Sequence, residues 1–150
     1  MILYNILLNV YQVFLKVLVV TKHIFIIEDN IFIANMVCEI FKNNGFLTTQ
    51  FHSGEDLLKF LSESNDIKVD LFWIDYIMLG INGLELAETL QLDNRFKDIP
   101  TVLYTQDKEL PYAGNDRFNV FDAILFKNTE STEIIKVINK LIDKNNKVKT

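Results

Sequence analysis

IFIIEDN, residues 24–30, decides how the rest of the chain is read. Four apolar residues, Ile24 to Ile27, run straight into two adjacent carboxylates, Glu28 and Asp29. A short, wholly apolar run is the signature of a strand covered on both faces. Ending such a strand by crowding negative charge calls for a positive partner at that point.

The same punctuation recurs along the chain. Asn30–Asn44 has helical spacing, with Ile33, Met36, Val37, Ile40 and Phe41 on one face and Gly45 placed as its C-terminal cap. Phe46–Phe51 reads as a second, more polar strand, as expected at a sheet edge. Ser53 followed by Asp56 resembles a capping box and opens a helix carrying Leu57, Leu58, Phe60 and Leu61. Val69–Ile74 is a third apolar strand ending at Asp75, and Asn82 caps a helix over Gly83–Leu92. Pro100 introduces a strand over Thr101–Tyr104 with Thr105 at its end. Residues 106–120 should hold a further helix, a poor one because of Pro111 and Gly114. Phe121–Phe126 is the fifth strand. Thr129 or Ser131 caps a closing helix striped by Ile134, Ile135, Ile138, Leu141 and Ile142. Helices between consecutive apolar strands imply βαβ crossovers and one parallel sheet.

In an open parallel sheet, ligands bind beyond the carboxyl ends of the strands. Those ends carry Glu28 and Asp29, Asp75, Thr105 and Lys127. Taken singly, each has a plain structural role as a cap, turn former or solvated side chain. Together they bring three acids, one hydroxyl and one ammonium to one rim. Two like charges roughly 5 Å apart repel by about 3 kcal/mol at an effective dielectric near 20. Three clustered carboxylates therefore protonate or draw in cations. Hard oxygen donors suit Mg²⁺, which takes one or two carboxylates and a phosphate oxygen.

Composition narrows the alternatives. At 150 residues, 49% hydrophobic and 23% charged, the chain makes one ordinary globular domain. A net charge of −5 argues against a nucleic-acid surface. The single Cys38 excludes an internal disulfide and fits a reducing, cytoplasmic setting, and its place in a helical apolar pattern suggests a buried small side chain. His23 and His52 lack zinc-ligand spacing. No GxxxxGK, GxGxxG or GxSxG motif occurs. A haloacid-dehalogenase-type phosphatase needs a second aspartate two residues after its nucleophile, where this chain has Ile77.

With IIEDN at 26–30, DYIMLGINGLEL at 75–86, PTVLYT at 100–105 and ILFK at 124–127, residues 22–146 resemble the receiver domain of two-component response regulators. The resemblance implies a flavodoxin-like (βα)5 three-layer sandwich around a five-stranded parallel sheet. It implies a phosphoryl group accepted by Asp75 from a sensor histidine kinase or a histidine phosphotransfer protein, with Thr105 and Lys127 contacting that group. Mg²⁺ would be held by Asp29, Asp75 and the main-chain carbonyl of Ile77, with Glu28 acting partly through water. Such a domain is a phosphoryl acceptor with slow self-dephosphorylation rather than an enzyme, and signals to a downstream protein. Four positions depart from the family pattern. Leu79 replaces a proline, Gln106 a small residue, Ile124 a switching aromatic, and Asn128 a proline usually preceded by a cis bond. A cis bond before Asn128 would cost roughly 3 kcal/mol, so a trans bond is expected. These changes leave the acceptor residues intact and favour, as the alternative, a phosphorylation-independent pseudo-receiver acting as an interaction module.

Residues 1–21 form a separate unit. MILYNILLNVYQVFLKVLVV holds sixteen apolar residues and one charge, Lys16. Asn5, Asn9, Gln12 and Lys16 fall at helical spacing as a narrow polar stripe. No basic region precedes the apolar run, which argues against a signal peptide. An interfacial or membrane-anchoring helix, a partner-binding helix, and residues upstream of the true start all fit, and the last is the expectation. A membrane is a partner only if this extension is real. Residues 147–150 read as a basic tail, frayed and solvated, with no room for a DNA-binding domain, so output is expected to pass through another protein.

Overall fold

The computed structural model describes residues 1–18, 21–109 and 116–148. Five parallel strands form one sheet: β1 (His23–Ile27), β2 (Leu47–Phe51), β3 (Leu71–Asp75), β4 (Thr101–Thr105) and β5 (Ala123–Phe126), in the order β2-β1-β3-β4-β5. The polar strand β2 is at an edge, as its composition anticipates. Strand order reverses between β1 and β3, which pair Ile24 with Leu71 through Ile27 with Ile74. The crevice at that switch point is where α/β sheets bind ligands.

Alternate strand residues feed two cores. Phe25, Ile27, Phe72, Ile74 and Leu103 pack beneath α3 (Gly54–Glu63) and α4 (Gly83–Leu92). Ile24, Ile26, Trp73, Val102 and Tyr104 pack beneath α2 (Ile31–Asn43) and α5 (Ser131–Val148). The result is the flavodoxin-like three-layer sandwich that the motifs imply.

Two strands begin later than their apolar patterns suggest, because aspartates intervene. Asp70 Oδ2 accepts the His23 N–H at 2.9 Å, and Asp122 Oδ2 accepts the Thr101 N–H at 2.8 Å. Each side chain thus caps the first amide of the neighbouring strand, taking the place of a ladder bond.

The helix ends follow local chemistry. Asn30 caps α2 by accepting from the N–H groups of Phe32 and Ile33. At its other end Gly45 adopts φ +85°, and Phe46 N–H bonds the Phe41 carbonyl while Gly45 N–H bonds that of Lys42. These bonds make a Schellman motif, closed by the Phe41 and Phe46 rings at 6.2 Å. Ser53 accepts from Asp56 N–H at 3.0 Å, and Asn82 and Glu85 complete a reciprocal capping box. Neither residue expected to cap α5 does so: the Thr129 hydroxyl accepts from Phe126 N–H, and Ser131 is already the first helical residue.

The buried face of α2 also differs from expectation. Ala34, Val37, Cys38 and Phe41 are buried, whereas Met36 is exposed and Ile33 and Ile40 are only partly covered. Small side chains let the helix approach the sheet closely, and the stripe turns toward them. Cys38 is buried as anticipated, its Sγ 2.9 Å from Thr49's neighbour Thr48 Oγ1. Of the poor helix expected over 106–120, residues 116–120 form a 3₁₀ turn, and 110–115, with Pro111 and Gly114, lie outside the described residues. α5 runs through Val148, past residue 147 where the basic tail was expected to begin, and residues 149–150 lie outside the described residues. All peptide bonds among the described residues are trans, including that before Asn128. The N-terminal extension forms helix α1 (Ile2–Leu18), and no helix among the described residues is long and apolar enough to cross a membrane.

Candidate functional site

The rim beyond the strands gathers the residues that the sequence singles out. Glu28 follows β1, Asp75 ends β3, Thr105 ends β4 and Lys127 follows β5. Glu28 is 1% exposed, Asp75 4% and Thr105 1%, so these polar groups are held inside the protein. Asp29 is the more open of the three acids. One carboxylate oxygen from each of Glu28, Asp29 and Asp75 lies within 4.8 Å of the others.

Lys127 crosses from β5 to this cluster. Its Nζ is 2.9 Å from Glu28 Oε2 and 3.0 Å from Asp75 Oδ1. The backbone holds the lysine in place: its N–H bonds the Thr105 carbonyl at 2.9 Å, and the Tyr104 hydroxyl donates to its carbonyl at 3.4 Å. The Tyr104 ring also lies 5.9 Å from the ammonium, near the reach of a cation–π contact. Glu28 is fixed from below, its N–H on the Phe51 carbonyl and its Oε1 accepting from Asn30 N–H.

These contacts set the ionisation. Burial pushes the carboxyls of Glu28 and Asp75 above their ordinary values; Lys127 opposes the rise, and a neighbouring carboxylate, Asp75 for Glu28 and Asp29 for Asp75, adds to it. Burial works to lower Lys127, but its bonds to the two acids outweigh this and raise it. One ammonium thus faces three acids, and the cluster keeps an excess of negative charge. Hard oxygen donors from separate chain segments, which a single lysine does not neutralise, fit a divalent cation of the Mg²⁺ type.

The loop after Asp75, residues 76–82, is anchored at several points. Asp29 Oδ2 accepts from Leu79 N–H at 3.3 Å, and Gly83 N–H bonds the Tyr76 carbonyl at 2.9 Å. Glu55, in the first turn of α3, accepts from Ile81 N–H at 2.9 Å. Gly80, at φ +85°, leaves room for that carboxylate, and a side chain at Gly83 would strike the Asp75 carbonyl. Ile77 sits in this loop two residues past Asp75, with its side chain exposed. Sequence reasoning missed Glu55 and Tyr104. The glycine at 80, one residue before the amide that Glu55 holds, was the available signal for the first. Tyr104 gave none beyond its place in a strand. Thr105 Oγ1 accepts from Asp107 N–H at 3.1 Å, which leaves its own O–H as a donor. Of the departures, Gln106 is exposed and Ile124 packs partly buried against the core under α3 and α4.

Comparisons with known proteins agree with this geometry. The family model of the response regulator receiver domain matches residues 24–139. Over 84 residues the chain is 29% identical to the phosphate regulon transcriptional regulatory protein PhoB of Escherichia coli, covering 56% of this chain and 35% of PhoB. It is 25% identical over 97 residues to the two-component response regulator ARR7 of Arabidopsis thaliana, covering 59% of this chain and 47% of ARR7. It thus spans about a third to a half of the length of these curated relatives. Among solved structures, the response regulator TrrA of Thermotoga maritima, in complex with Mg²⁺–BeF, superposes with a TM-score of 0.70 at 26% identity, over 81% of this chain and 99% of that one. An acid triad, two of its members buried and answered by one lysine, at the switch point of this sheet and under that family match, makes the chain a member of the response regulator receiver domains of two-component signal transduction.

Proposed function

We propose that the chain accepts a phosphoryl group on Asp75 from a phosphohistidine of a sensor kinase or phosphotransfer protein, and signals by binding a downstream protein. The single observation carrying this reading is Lys127 Nζ at 3.0 Å from Asp75 Oδ1, beside Glu28 and Asp29. In the transfer, a carboxylate oxygen of Asp75 attacks phosphorus in line. The P–N bond breaks, and its electron pair returns to the histidine ring as the P–O bond forms. A carboxylate nucleophile needs no general base. Mg²⁺, held by Glu28, Asp29, Asp75 and the Ile77 carbonyl, would supply charge neutralisation at the phosphoryl oxygens. Lys127 stays protonated and meets the charge that develops on the incoming group, and the Thr105 O–H donates to a phosphoryl oxygen. The similarity to TrrA, solved in complex with Mg²⁺–BeF, supports a Mg²⁺-dependent phosphoryl site.

Signalling would follow from the added charge near Thr105, which can draw its hydroxyl inward and shift the adjoining loop. A second reading, an interaction module that needs no phosphorylation, is favoured by Ile124, packed against the core where the family has a mobile aromatic. Incubation with a phosphorylated histidine phosphotransfer protein separates the two. Transfer to the wild type and none to Asp75→Asn supports the acceptor. No transfer to either, with a partner still bound, supports the module.

A further inference from the structure

The N-terminal helix plays no part in the phosphoryl site, and its chemistry is of another kind. Every residue from Met1 to Gln12 is exposed, including Ile2 at 78%, Leu3 at 76% and Leu7 at 62%. At about 100° per residue, Asn5, Asn9 and Gln12 share an arc of about 60°, while apolar positions from Ile2 through Leu7 to Leu8 sweep about 240°. A partner helix or groove covers a stripe of roughly 100°. A second copy would therefore leave more than half of the apolar arc in water, whereas lipid closes around all of it. The aligned amides define the side that faces headgroups and solvent.

Charge points the same way. Residues 1–22 hold Lys16 and Lys22 and no acid; residues 140–150 hold Lys140, Lys144, Lys147 and Lys149 against Asp143. The two segments meet where Lys22 Nζ donates to Asn146 Oδ1 at 3.3 Å, while also pairing with Asp70 at 3.2 Å. Together they carry a formal +5, so the remainder of a chain of net −5 carries −10. Lys22, just before β1, and the turn of α5 at Asn146 that it contacts lie at the end of the sheet where β1 begins, and the acid rim lies at the end where it finishes. An anionic leaflet attracts the first and repels the second.

We infer that α1 is an interfacial anchor: it lays its apolar arc into one leaflet of an anionic bilayer and holds the domain with its acid rim turned away. Among the described residues no helix is long and apolar enough to cross a membrane, and the line of amides along α1 suits an in-plane position. Cell-free synthesis of the full chain with phosphatidylcholine–phosphatidylglycerol vesicles, followed by flotation, tests this. The chain is expected to float, more weakly with phosphatidylcholine alone or in high salt. Ile6→Asp with Leu7→Asp lowers the floated fraction about tenfold or more, and Asn9→Gln, on the amide stripe, leaves it unchanged. Thermal melts of the variants report that the domain remains folded. A full chain that stays in the aqueous fraction as a discrete oligomer, or a doubly substituted chain that floats as well as the wild type, overturns the inference.

Discussion

The ammonium of Lys127 lies 3.0 Å from Asp75 Oδ1, reaching from the end of the last strand to that of the third. The same ammonium bonds Glu28 at 2.9 Å, so one cation counters two buried acids. Removing it leaves carboxylates without a counter-charge in a site that already disfavours them.

Lys127→Ala is therefore expected to slow phosphoryl acceptance about 100-fold, the order for losing one preorganised charge-stabilising donor. It should also destabilise the metal-free protein by about 3 kcal/mol. Mg²⁺ should raise the melting temperature of this variant more than that of the wild type, because the cation replaces the missing charge. Calorimetry with and without Mg²⁺ checks this. An equal response in both proteins would show that the ion does not bind among these acids.

Glu55 tethers the loop beyond Asp75 through the Ile81 amide at 2.9 Å. Glu55→Ala should speed hydrogen exchange at Ile81 and weaken Mg²⁺ binding severalfold. Glu55→Gln keeps an acceptor oxygen and should restore most of the affinity. Equal loss in both variants would rule out the hydrogen bond as the cause.

Two glycines share φ +85° and differ in surroundings. A Cβ at Gly45 meets open space, so Gly45→Ala should cost about 1 kcal/mol from the backbone alone. At Gly80 a Cβ would collide with the Glu55 carboxylate, so Gly80→Ala should cost more. Denaturant unfolding of both, and of Gly80→Ala in a Glu55→Ala background, resolves the steric part. That background should recover some of the loss.

His23 supplies a pH dependence away from the rim. Burial lowers its pKa, against smaller raising effects of the Lys68 backbone and the Asp70 charge. The folded state then binds a proton less readily than the unfolded chain. This contribution to stability is complete above the unfolded value near 6.5 and is lost as pH falls below it, through the folded pKa. Relative to His23→Gln, the wild type should lose melting temperature between neutral and mildly acidic pH. A constant difference across that range would contradict the assignment.

The rim was legible because strand chemistry is blunt. Ile24–Ile27 and Leu71–Ile74 are too apolar for anything but a covered strand, and the acids that end them stand out. Asp70 and Asp122 were harder, since an aspartate that caps a neighbouring strand's amide looks like one more residue of its own strand. The rotation of α2 toward Ala34 and Cys38 was hidden because side-chain size, rather than hydrophobicity, sets how closely a helix nears a sheet. Glu55 was signalled only indirectly, by Gly80, for a different reason. Its partner is a main-chain amide 26 residues away, and sequence does not record which amides a loop presents.

The most direct test of the central claim is the intact mass of the chain after incubation with acetyl phosphate, in Mg²⁺ and in EDTA, with peptide mapping of any adduct. One phosphoryl group on Asp75, formed in Mg²⁺ and absent in EDTA and in Asp75→Asn, is the result predicted. An unmodified chain in Mg²⁺, or an adduct that survives Asp75→Asn, would contradict it.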